Sequence, residues 1–269
     1  MLKAAMDFAI ELANAARPII IQYFRTPNIV DIKYDNTPVT IADRRIEKIM
    51  RAMIEDKFPD HGIASEEFAP KNLDAEYVWS LDPIDGTKAF IAGRPSFGTM
   101  IGLLHMGNPI LGLIDCPILN ERWIGGPEVT TTINGNKLMS LVHKTLDQAI
   151  LTVTSPDMFN CLDAEIFNAL KSKCKLTLFS GDCHNFCLLA FGTIDLVVES
   201  NLKDYDYLAP SAIITGAGGL LTDWSGLPVK LGSTTHIVAA RNHSLHSAAV
   251  KILSTKEIKS KAFSSYQQS

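Results

Sequence analysis

Three acidic groups stand out by type and spacing: Ser65-Glu66-Glu67, Asp82-Pro83-Ile84-Asp85, and Asp206 within "KDYDYLAP". Carboxylates crowded together repel one another, and without a cation some must take up protons at a free-energy cost. A hard divalent cation removes that cost. Mg²⁺ takes oxygen ligands in octahedral geometry and keeps several waters, so a few carboxylates together with a substrate phosphate suit it. Pro83 fixes the backbone between Asp82 and Asp85, and a turn there lets the Ile84 carbonyl point with the two side chains. Gly86 and Thr87 then open "TKAFIAG" as a helix, whose first N–H groups are free to meet an anion. The same aspartates read equally well as an N-cap for that helix.

The elements that must position these residues follow from periodicity and punctuation. "MLKAAMDFAIELANAARPIIIQYF" reads as an amphipathic helix, interrupted by Asp7, Glu11 and Arg17 and so unsuited to cross a membrane. "NIVDIKYDNTPVTIAD" suggests a hairpin leading into a second helix from about residue 41, with Ile46, Ile49, Met50, Met53 and Ile54 on one face and Pro59 ending it. "HGIASEE" and "YVWSLDPIDG" read as strands running into acidic turns. "FGTMIGLLHMGNPILGLIDCPILNERWIGG" reads as two or three strands, two of them joined at Gly107-Asn108. From "LTVTSPD" onward, strands and helices alternate. The expectation is an N-terminal α+β half (1–145) holding the metal motifs and a largely antiparallel sheet. A C-terminal α/β half (146–269) would hold the last metal aspartate and the specificity elements. The tail "KAFSSYQQS" is expected to fray.

The formal charge of −4 arises from 29 acids against 25 bases. No Lys/Arg run is long enough to track a nucleic-acid backbone, which argues against nucleic-acid binding. Five cysteines, without C-x-x-C spacing, read as free thiols of a reducing compartment, the cytoplasm. Cys183, His184 and Cys187 lack the further ligands that zinc needs.

"PVTIAD", "SEE", "WSLDPIDGTKAF" and "YDYLAPSAIITGAGGLLTDWSG", in this order, resemble the inositol monophosphatase family of Mg²⁺-dependent, lithium-sensitive phosphomonoesterases. The likeness runs from about residue 30 to residue 226. It implies a five-layered αβαβα sugar-phosphatase fold and a homodimer. Carried over, Glu66, Asp82 and the Ile84 carbonyl hold one metal, and Asp82, Asp85 and Asp206 a second. Glu66 with waters can hold a third, giving two to three Mg²⁺ per site. Asp43 is expected to hydrogen-bond Thr87, and these two with Glu66 to orient the attacking water. Gly86 and Thr87 amides hold the phosphate, and Glu67 gives outer support. The implied reaction is in-line attack on phosphorus by a metal-activated water.

Within the family, "SGDCHNFCLLAFGTIDLVVESNLKDYD" looks most like the histidinol-phosphate phosphatase branch. Asp182 and Glu199 would then meet an ammonium and an imidazole at the pocket end away from the phosphate. Asp182 also suits an N-cap for "CHNFCLLAFG". The alternatives are an inositol-1-phosphate phosphatase, a phosphatase of broad small-monoester range, and a regulatory binding protein of the same family. Lys33 and Arg94 are candidate cations near the site.

Overall fold

The computed structural model describes residues 2–26, 30–32, 38–138 and 144–254. Along the chain lie α1 (Leu2–Tyr23), β1 (Val30–Ile32), β2 (Pro38–Thr40), α2 (Ile41–Lys57), β3 (Gly62–Ser65), β4 (Tyr77–Asp85) and α3 (Thr87–Ile91). There follow β5 (Gly98–His105), β6 (Asn108–Cys116), β7 (Glu121–Gly126), β8 (Val129–Ile133), β9 (Asn136–Lys137) and β10 (Ile150–Val153). The remainder comprises α4 (Cys161–Lys171), β11 (Leu176–Phe179), α5 (His184–Phe191), β12 (Leu196–Glu199), α6 (Asp204–Gly216), β13 (Leu220–Asp223), β14 (Ile237–Ala240) and α7 (His243–Leu253).

The apolar stripe of α1 buries Phe8, Leu12, Ala16 and Ile19, as helical spacing predicts, and that of α2 buries Ile46, Met50 and Ile54. Both helices cover one face of a seven-stranded sheet ordered β3-β4-β5-β6-β7-β8-β9, with Trp79, Leu81, Ile101 and Leu113 in the shared core. Its β3–β4 pair is parallel and the rest antiparallel. Helices α5 and α6 fill the space to a second, five-stranded sheet ordered β11-β10-β12-β14-β13. Helices α4 and α7 close its far face around Leu151, Val153, Leu196 and Val238. The layers are therefore αβαβα, as expected.

Two details differ from the sequence reading. The β5–β6 turn is Met106-Gly107, with φ of 50° and 77°, and His105 pairs with Asn108, one residue earlier than expected. An unanticipated hairpin, β8–β9, turns on Asn134-Gly135, also both at positive φ. Asn-Gly is the strongest short hairpin signal, and two-residue turns of this hand match the strand twist. The second sheet is mixed, because β14 runs antiparallel to both β12 and β13.

Helix α6 carries Asp206 and lies directly on the seven-stranded sheet. A Cβ on Gly112 would stand 2.1 Å from the Ala209 carbonyl oxygen, so only glycine permits this approach. Thr131 Oγ1 donates to the Ile213 carbonyl at 2.6 Å and fixes the same helix farther along. A residue from the second half of the chain is thereby held against the end of β4.

Candidate active site

Strand β4 does not end in a turn at Asp82 but continues to Asp85 through a bulge, where the pairing with β5 shifts between those residues. Pro83 has no N–H to give the ladder, which favours such an irregularity. Its carbonyl instead accepts from Thr99 Oγ1 at 2.8 Å. Gly86 follows at φ 83°, the left-handed region, and precedes α3. A Cβ there would meet Asp182 Cβ and Cγ at 3.0 Å, so both the backbone and the neighbour demand glycine. Neither aspartate caps α3: Gly86 is its N-cap residue and no side chain bonds there.

The bulge directs Asp82 and Asp85 toward Asp206 in the first turn of α6. Ligand oxygens of the three carboxylates lie within 4.8 Å of one another. Glu66, Ile84, Gly86, Thr87 and Asp182 join them around a cavity of about 410 Å³. Burial raises the Asp82 carboxyl well above its ordinary range, and Glu66, Asp85 and Asp206 push the same way. Asp85 is raised by burial and by the charges of Asp182 and Asp206. Asp206 is pushed up to about 7, chiefly by burial. The Asp82 Oδ1 atom is buried with no hydrogen-bond partner. An orphaned carboxylate oxygen amid like charges, all of them hard donors, fits a divalent cation such as Mg²⁺.

Supporting bonds aim the cluster. Asp85 Oδ2 accepts from the Cys183 amide at 2.5 Å, and Asp206 Oδ2 from the Lys203 amide at 2.7 Å. Glu66 sits on a turn held by Glu47, which the sequence reading missed. Glu47 is fully buried and accepts from Ser65 Oγ at 2.6 Å and from the amides of Glu67 and Phe68 at 2.7 and 3.0 Å. Asp43 and Glu47, spaced i, i+4 beside the apolar stripe of α2, were the available signal.

Asp43 is fully buried and, contrary to expectation, does not hydrogen-bond Thr87. Its Oδ2 accepts from Thr40 N and Oγ1 at 2.9 and 2.5 Å, serving the N-terminal cap of α2, while Oδ1 is buried with no partner. Burial raises its carboxyl to about 6. Thr87 Oγ1 donates to the Ile84 carbonyl at 3.1 Å instead, a local i−3 bond available without Asp43.

The two specificity candidates part company. Asp182 lines the cavity at φ 46°, and the N-cap of α5 is Cys183 rather than Asp182. Burial raises Asp182 to about 6, against the lowering effect of Lys88 and Arg94. Glu199 lies behind the wall: its Oε1 accepts from Thr154 N and Oγ1, both at 2.9 Å, and Thr154 faces the cavity. Glu199 Oε2 is buried without a partner, and burial pushes this carboxyl up to about 8. Lys88, Thr154, Met158, Asn201, Lys203 and Tyr205 complete the wall, and the sequence reading named none of them as lining residues. Lys33 lies outside the described residues.

All five cysteines are free. Cys116, Cys183 and Cys187 are buried together between α5 and the seven-stranded sheet. Among the described residues no helix is long and apolar enough to cross a membrane.

Residues 1–257 match the model of the inositol monophosphatase family. The chain is 44% identical over 252 residues to the bifunctional phosphatase IMPL2, chloroplastic, of Arabidopsis thaliana, spanning 90% of this chain and 72% of the relative. It is 33% identical over 225 residues to a histidinol-phosphatase of Chlorobaculum parvum, spanning 82% and 86%. A solved structure of an inositol monophosphatase from Zymomonas mobilis superposes with a TM-score of 0.87 at 42% identity, covering 94% of this chain and 98% of that one. With the acidic cavity placed where the two halves of the chain meet, these likenesses identify the protein as a phosphatase of the inositol monophosphatase family.

Proposed function

We propose that the chain hydrolyses histidinol phosphate in a Mg²⁺-dependent reaction. The observation that carries the substrate is Asp182: a carboxylate in the cavity wall, beside the turn at Gly86, that accepts no hydrogen bond from the described residues. A substrate bearing an ammonium group supplies the missing partner, and a neutral polyol does so less well. The name histidinol-phosphatase borne by the 33%-identical relative supports the same reading.

Glu66, Asp82 and the Ile84 carbonyl would hold one Mg²⁺, and Asp82, Asp85 and Asp206 a second, with room for a third at Glu66. When bound, the ions polarise the phosphoryl group, lower the pKa of a water and neutralise charge on the leaving oxygen. The protein's own part is positional. Gly86 and Thr87 would offer amides to the phosphate at the start of α3, and the bulge holds them next to the carboxylates. Glu66, on the turn fixed by Glu47, would orient water. Asp43 would keep the N-terminus of α2 in register behind it. Asp182 would bind the substrate's cation, while Glu199 would act on specificity through Thr154.

The likeness to the family supports a homodimer, and the free thiols fit a reducing compartment such as the cytoplasm. The test of substrate is kcat/KM across histidinol phosphate, inositol-1-phosphate, 3'-phosphoadenosine 5'-phosphate and fructose-1,6-bisphosphate. Preference for histidinol phosphate that falls about tenfold or more in Asp182→Asn, with inositol-1-phosphate turnover little changed, is expected. Equal turnover of inositol-1-phosphate by the wild type would reject the assignment.

A further inference from the structure

The geometry points to a second ligand site, for a small organic anion with an apolar arm, in a cavity of about 650 Å³ between α1 and strands β7 and β8 with the turns that flank them. None of its lining residues lines the aspartate cavity. The charge balance there is unequal. Asp115, 1% exposed, accepts from Arg17 Nε and Nη2 at 3.0 and 2.8 Å and from Arg122 Nε at 2.7 Å. Two guanidinium groups thus share one carboxylate. The third Arg17 nitrogen, Nη1, donates to Asn120 Oδ1 at 2.9 Å. The terminal nitrogens of Arg122 have no protein partner among the described residues, although its side chain is only 17% exposed.

A half-buried guanidinium left with unpaired donors is a standing attraction for a carboxylate or phosphate-type oxyanion, which it can bind in fork geometry. The rest of the wall is built rather than loose. Asn134 ties the β7 and β8–β9 segments together, accepting from the Arg122 amide at 2.9 Å and donating to the Asn120 carbonyl at 2.8 Å. Met6, Ile10, Ile124 and Val129 supply an apolar wall. Convergent polar groups beside an apolar wall, in a cavity of this size, are the usual make-up of a small-molecule site. The ligand carries one negative charge to match the single excess cation and a hydrocarbon or aromatic portion for the apolar wall.

Calorimetric titration of the full-length, Mg²⁺-loaded protein separates the possibilities. The probes are phenylacetate and phenylphosphonate, which distinguish carboxylate from phosphorus oxyanion, with 2-phenylethanol as the neutral control. Wild type is expected to bind at least one anion in the sub-millimolar range. Arg122→Gln and Val129→Trp, the first removing the charge and the second filling the cavity, are each expected to weaken binding about tenfold or more, with phosphatase activity unchanged. Absence of binding at about 10 mM, equal binding of the alcohol, or binding that survives either substitution overturns the inference.

Discussion

Removing the cation should turn the carboxylate cluster into a pH-dependent weakness of the fold, and the sign follows from Asp206. Its carboxyl ordinarily titrates at 3.8 and in the folded protein at about 7, mainly through burial. The folded state therefore holds a proton that the unfolded chain has released over the intervening pH range. The penalty is absent below 3.8, grows as pH rises, and is complete above 7. Three pH units of difference correspond to about 4 kcal/mol, which residual solvent contact at this half-buried side chain lowers to roughly 2–4 kcal/mol. For a chain of this size that is roughly 5–15 °C in Tm. Bound Mg²⁺ favours the ionised carboxylates and offsets the penalty. Thermal unfolding in EDTA and in saturating Mg²⁺, from pH 5 to pH 8, reads this directly. The gap between the two Tm values is expected to widen with pH, and Asp206→Asn to flatten the EDTA curve. A gap that is constant across this range, or metal-free protein that is more stable at pH 8 than at pH 5, would refute the reasoning.

Gly86→Ala places a Cβ at positive φ against Asp182, at a cost of about 1–2 kcal/mol from the backbone alone. Denaturant titration should show that loss, and kcat/KM should fall about tenfold or more, since the displaced turn carries the phosphate-facing amides. Glu47→Gln keeps the size of the buried side chain but weakens its hold on Ser65, Glu67 and Phe68. The Mg²⁺ concentration for half-maximal activity should rise roughly 10- to 100-fold, as when an outer support of a metal ligand is removed. An unchanged Mg²⁺ requirement would show that Glu66 does not depend on that turn.

The long elements were legible because they carry strong periodicity, whereas their five-layer arrangement followed from the motif likeness. The stripes of α1 and α2 and the apolar strands β4 to β6 left little choice of structure. The β8–β9 hairpin was written in Asn134-Gly135, but "VTTTINGNK" holds only one fully buried residue, Thr131, and offers a weak hydrophobic pattern. At the site, Asp82, Asp85 and Asp206 could be brought together on paper because motif likeness bridges the gap in sequence that α6 closes in space. Glu47 was missed because its role lies in bonds to a turn some twenty residues away, and a glutamate on a helix reads as solvated by default unless its spacing from Asp43 beside the apolar stripe is weighed. Asp43 shows the reverse failure. The likeness suggested a bond to Thr87, whereas the nearer donors of Thr40 occupy Oδ2 and Thr87 satisfies itself on Ile84. Glu199 was read as a direct partner of the substrate, whereas in the fold Thr154 stands between it and the cavity.

The central claim is that Asp82, Asp85 and Asp206 form a cation-dependent phosphatase centre. The most direct measurement is phosphate release from histidinol phosphate by metal-stripped protein titrated with Mg²⁺, for the wild type and for Asp82→Asn. The expected result is no turnover without the cation, saturable recovery as it is added, and a loss of more than roughly 100-fold in the variant at every Mg²⁺ concentration. Sustained phosphate release in the presence of a chelator, or wild-type turnover by Asp82→Asn, would contradict it.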